Sequence, residues 1–195
     1  MSIEAKTVLH RYLRDGRAAL LWKLEGLGDY DVRRPLTPTG TNLLGLVKHL
    51  AGCEADYFGA TFHRPCPEPM PWLADDAEPN ADMWASADES RADVLGLYER
   101  VSAHSDATIG ALDLGAPGVV PHWPGERGHV TLHAILVHMI AETHRHAGHA
   151  DLVRELVDGA AGLRRDTGNL PDADASWWRE YHARLERVAR EAGRP

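Results

Sequence analysis

The sequence predicts an all-α protein: a four-helix bundle with long connections and a short additional C-terminal helix. Three observations carry this reading. Four long stretches place apolar residues at helical spacing. The segments between them are rich in Pro and Gly, which interrupt helices. No stretch shows a convincing strand alternation, and no internal repeat is present. At 195 residues the chain fits one domain, 1–195, able to bury a core without disulfides.

The first helix is expected from Ile3 to about Leu27, with Val8, Leu9, Tyr12, Leu13, Ala19, Leu20, Leu24 and Leu27 on its apolar face and Gly28 as its stop. Pro35, Pro38 and Gly40 make 29–40 a loop. A second helix opens near Thr41 or Asn42, either of which can cap it, and runs to about Phe62. Its buried side is Leu43, Leu46, Val47, Leu50, Tyr57 and Phe58, with His49 and Cys53 one turn apart beside it. The stretch 63–85 holds five prolines and many acids; so long a connection is usually functional or mobile. Ser86 and Glu89 have the spacing of a capping box and open a third helix reaching about Leu112. After a second Pro/Gly-rich loop, a fourth helix spans Thr131 to Gly159, with an apolar stripe that includes Leu132, Ile135, Leu136, Met139, Ala147, Ala150, Val153 and Leu156. Asp174 or Ser176 starts the terminal helix, whose Trp177, Trp178, Tyr181, Leu185 and Val188 are available to cover the bundle.

Composition excludes several function classes. Lys+Arg 21 against Asp+Glu 29 gives a net charge of −8 with no basic run, which argues against a nucleic-acid surface. No segment approaches the apolar run of roughly 18 residues that a membrane span needs, and the charged N-terminal stretch is unlike a signal peptide. Two cysteines, Cys53 and Cys66, suit a reducing cytoplasm better than a disulfide framework. There is no Gly-rich phosphate loop and no signature around a Ser, Cys or Thr nucleophile.

The chemistry points instead to the fourth helix. Glu142 and His146 are four residues apart and project from one side of it, beside the apolar stripe. A carboxylate and an imidazole at the edge of a core need compensation, and a divalent metal supplies it. With His49 from the second helix they make a set of three His/Glu ligands that leaves a position open to water or substrate. A simpler account is a hydrogen-bonded core His49 beside an i, i+4 pair worth about 0.2–0.5 kcal/mol. His138, His149 and Cys53 are rival or additional ligands, whereas His144 is rotated away and His133 is too far along the helix.

Two stretches together, LLGLVKHLAGCEADYF (43–58) and HMIAETHRHAGHADLVRELVDG (138–159), resemble the DinB/YfiT-like metalloenzymes, and within them a largely uncharacterised actinobacterial branch. The resemblance implies a helical bundle with a metal, commonly zinc or nickel, held by three residues. His49 matches the first ligand and His146 the last. Glu142 stands where many members have a histidine, which is similar to the His-Glu-His set of the related mycothiol-dependent maleylpyruvate isomerase. Asp151, Arg154 and Glu155 belong to the recurring end of the motif, and salt bridging between helices accounts for them. The implied activity is a reaction of a low-molecular-weight thiol, such as mycothiol or bacillithiol, with a small-molecule electrophile: an S-transfer or an isomerisation. A hydrolase using metal-activated water and a non-catalytic metal- or ligand-binding stress-response protein are the competing readings. Relatives are often homodimers, and the Trp177–Trp178 helix offers an apolar surface for such pairing.

Overall fold

Helix α1 (Ala5–Leu21) buries Leu13, Ala19 and Leu20 against the longest helix, α5 (Leu132–Asp158). The computed structural model describes residues 4–165 and 167–193, so the expected helix start at Ile3 lies outside the described residues. The first helix ends earlier than its periodicity predicts: Trp22–Leu24 tightens into a 3-10 turn, and the chain reverses at Gly26, whose φ is +75°. Gly28 instead precedes α2 (Asp29–Arg33), a single turn inside the predicted loop that buries Val32. The carbonyls freed at this helix end are taken by guanidinium groups from distant helices, as unpaired helix ends require. Arg154 bonds the Lys23 and Glu25 carbonyls, and Arg91 those of Leu24 and Leu27.

Helix α3 (Leu43–Glu54) is capped by Asn42, whose side chain accepts from the Gly45 amide at 2.8 Å. The helical path continues to Phe62 as predicted, but with a change of winding. Ala55–Gly59 forms a π turn and Ala60–Phe62 a 3-10 turn. π turns inside helices recur at functional sites.

Helix α4 (Arg91–Ala111) starts five residues after the predicted cap. Glu89 does reach back to the Ser86 amide at 2.8 Å, but the same carboxylate is drawn to Lys48 at 2.8 Å, and the Glu89 carbonyl is taken by Arg33. Ser90 and Asp93 make the capping box instead. Between α4 and α5 lies a small antiparallel ribbon, β1 (Pro117–Val119) and β2 (His129–Thr131), absent from the sequence reading because three residues are too few to show an alternation.

Helix α5 follows its prediction closely. Thr131 caps it by accepting from the Ala134 amide, and Gly159 closes it at φ +77°. Leu132, Ile135, Leu136, Met139, Ala147, Ala150 and Val153 are buried, while Leu156 faces solvent. The main packings are α1 on α5, α3 on α4 and α3 on α5, so the mostly α-helical fold expected from the sequence is the one adopted. Helix α6 (Ala175–Ala192) runs 18 residues without burying one of them, and so does not cover the core as predicted. Its Trp177 stacks on Tyr181, with centroids 5.1 Å apart. No helix among the described residues is long and apolar enough to cross a membrane.

Candidate metal centre

Helices α3 and α5 pack together and bring His49, Glu142 and His146 to one point. One ligand atom from each lies within 4.8 Å of the other two. Glu142 Oε1 is 2.9 Å from His146 Nε2 and 3.6 Å from His49 Nε2, and the two imidazole rings meet edge to face at 4.8 Å between centroids. The turn spacing on α5 and the apolar stripe beside it produce this convergence. Burying Met139, Ala147 and Ala150 turns Glu142 and His146 toward α3, and burying Leu46, Val47 and Leu50 turns His49 toward them.

The remaining ring nitrogens are occupied as well. His49 Nδ1 donates to Asp82 Oδ2 at 2.6 Å, which leaves Nε2 aimed at Glu142. His146 Nδ1 lies 3.3 Å from His149 Nδ1. His149 therefore stands behind His146 rather than among the converging atoms. Cys53 Sγ is 3.5 Å from His49 Nε2 but is not part of the converging group. Burial, followed by the charges of Glu142 and Asp82, pushes the Cys53 thiol up to about 12, so it stays protonated. His138 turns away to pack its ring against Tyr57 at 4.7 Å and Trp123 at 5.0 Å. His144 faces α1, with Nε2 3.1 Å from the Tyr12 carbonyl, and His133 is exposed.

Electrostatics favour a cation at this point. Burial alone would raise the Glu142 carboxyl; the hydrogen bond and charge of His146, backed by His49, outweigh it and hold the group below the usual carboxylate range. Burial, then the proximity of His49, lowers His146 against the opposing hydrogen bond and charge of Glu142, which favours the neutral imidazole whose lone pair a metal ligand offers. Two imidazoles and one carboxylate form an N/O donor set able to hold a divalent metal ion. The side chains are not sealed: His49 is 20% exposed and Glu142 25%, which leaves an approach from solvent.

The family model that matches the chain, over residues 8–159, is that of the mycothiol-S-transferases. The chain belongs to this family. Neither the search of curated proteins nor that of solved structures returns a match. The matched span runs from α1 to the C-cap of α5 and includes His49, Glu142 and His146. It stops short of α6, the helix that buries nothing. The resemblance to the DinB/YfiT-like proteins agrees with this membership.

Within this member of the mycothiol-S-transferase family, several neighbours of the centre escape a reading by spacing. Asp82 sits in the proline-rich, acidic connection 63–85, where no helical spacing marks a face. Tyr57 and Trp123 border the site together with His138: Trp123 Nε1 donates to the Tyr57 hydroxyl at 3.3 Å, and His122 lies at the same distance from it. Only Tyr57 carried a signal, one turn beyond Cys53, and helical spacing marks it equally as core. Asp151 pairs with the buried Lys23 across segments, as salt bridging between helices would have it. Arg154, by contrast, pairs with Asp158 within α5 and donates to the Lys23 and Glu25 carbonyls, and Glu155 makes no ion pair among the described residues.

Proposed function

We propose that the protein is a divalent-metal-dependent S-transferase or isomerase acting on a low-molecular-weight thiol of the mycothiol type, with His49, Glu142 and His146 as ligands of a zinc or nickel ion. The observation that carries this reading is the meeting of these three side chains, from helices almost a hundred residues apart, in a chain matched by the mycothiol-S-transferase family. A divalent cation held there would supply the positive charge that makes a thiol lose its proton near neutral pH.

The rest is work for the chain itself. Asp82 and His149 hold the two imidazoles in place through their Nδ1 atoms. The partly exposed edges of His49 and Glu142 leave the approach by which a thiol enters. Tyr57, Trp123 and His138 form a wall of rings at its side, against which an electrophile packs while excluding water. In the reaction, the thiol proton leaves to solvent and its sulfur bonds to the electrophilic carbon. A leaving group departs with the displaced electron pair in a transfer, whereas the C–S bond breaks again in an isomerisation.

The test is thiol consumption by the zinc- or nickel-reconstituted protein, with mycothiol and bacillithiol against a panel of electrophiles. Turnover that disappears in Glu142→Ala supports the reading. Ester hydrolysis without loss of any thiol would replace it with a hydrolase.

A further inference from the structure

The geometry points to Asp82, in the long connection between α3 and α4, as the positioning residue of the metal centre. This rests on the metal reading above and adds a claim of its own: the connection is part of the site rather than a solvated loop.

Four contacts fasten this segment to the N-terminal half of α3, three of them through Lys48, the residue before His49. Asn42 Nδ2 donates to the Met83 carbonyl at 3.1 Å. Lys48 Nζ donates to the Trp84 carbonyl at 3.0 Å, pairs with Glu89 at 2.8 Å and rests over the Trp72 ring at 4.3 Å. Lys48 is almost wholly buried, and these partners answer its charge. Gly45 permits the close approach. A Cβ at that position would lie 1.8 Å from the Met83 carbonyl oxygen.

The product of this docking is the 2.6 Å bond from His49 Nδ1 to the Asp82 carboxylate. An imidazole can direct Nε2 at a cation only if Nδ1 keeps the proton, and a carboxylate acceptor at Nδ1 selects that tautomer, fixes the ring plane and raises the basicity of Nε2. Residue types agree with the task. Asp82 is half-buried, makes no other side-chain hydrogen bond among the described residues, and sits on the one-turn 3-10 segment Ala81–Met83 that Met83 and Trp84 anchor. Its charge also adds to that of Glu142 in the field around the converging ligand atoms, although Asp82 itself stands behind His49 and is not one of them.

Zinc affinity of the full-length protein, measured by chelator competition in wild type, Asp82→Ala and Asp82→Asn, tests this. The expected result is an affinity loss of about 10- to 100-fold in Asp82→Ala and a smaller loss in Asp82→Asn, which keeps an acceptor oxygen. In the zinc-loaded wild type, long-range 1H–15N spectra are expected to show the His49 Nδ1 proton as hydrogen-bonded, and that signal moves in Asp82→Ala. Wild-type zinc affinity in Asp82→Ala would overturn the inference while leaving the metal site intact. An equal loss in both variants with an unmoved His49 signal would also overturn it, since Asp82 would then act through loop packing alone. Failure of the wild type to bind zinc, by contrast, would remove the metal reading itself.

Discussion

Arg17 and Glu54 form a two-pronged ion pair in the interior, with Nε 2.7 Å from Oε1 and Nη2 2.6 Å from Oε2. Glu54 is fully buried and lies on α3 directly after Cys53, so the helix that turns His49 toward α5 fixes its other side to α1 through this pair. Tyr98 of α4 also donates to Glu54 at 3.3 Å, and Arg17 reaches Asp106 at 2.7 Å. Removing the arginine leaves a buried carboxylate without its counter-charge. Arg17→Met is therefore expected to cost about 3–5 kcal/mol, read from denaturant unfolding. Arg17→Met combined with Glu54→Leu should recover a measurable part of that loss.

The three candidate ligands act as a unit. Purified protein is expected to bind about one divalent ion per chain, and His49→Ala, Glu142→Ala and His146→Ala should each lose it, by metal analysis after gel filtration. Full metal content in the His146 variant would defeat the assignment.

Gly45 sets how closely the α3–α4 connection can approach. Because an added Cβ would meet the Met83 carbonyl, Gly45→Ala must displace backbone. The expected loss is about 1–3 kcal/mol of stability, together with weaker zinc binding as Asp82 is carried off His49. Unchanged stability and affinity in this variant would mean that the segment shifts without consequence.

Acid should weaken the fold through carboxylates that arginines hold. Burial raises the Asp106 carboxyl, but the Arg17 charge and the hydrogen bonds of Arg17 and His10 outweigh it, leaving the group below its ordinary value. The Arg154 hydrogen bond depresses Asp158 likewise. For a carboxyl with a lowered folded-state pKa, the stabilisation is present above the unfolded value and is lost as pH falls through the folded one. Stability should therefore decline below about pH 4, the ordinary carboxylate range. In Asp106→Asn that decline should be shallower, which unfolding midpoints between pH 2.5 and 6 would show.

Helix α6 offers a simple control. None of its described residues is buried, and the contacts of the preceding loop with Trp22 and Lys23 use the Leu163 and Gly162 carbonyls. Truncation after Asp172 is expected to change stability by less than about 1 kcal/mol and leave zinc stoichiometry intact. A collapse of the fold would show that α6 contributes packing after all.

The sequence by itself determined the helices with continuous apolar periodicity and clean caps, most completely α5 between Thr131 and Gly159. It also marked Glu142 and His146 as neighbours, because a separation of four residues in a helix fixes two side chains on one face whatever surrounds them. Only the tertiary structure decided that His49 of the second helix meets them and what stands behind each ring. Asp82 reaches His49 because Lys48 and Gly45 dock a proline-rich connection whose path no periodicity records. The same difference explains the shifted start of α4, where Glu89 keeps its bond to the Ser86 amide but is also drawn to Lys48 on another helix. Local spacing is written in bond geometry and survives in the sequence. Long-range pairings are chosen by burial and charge among segments far apart, and appear only once the chain has folded.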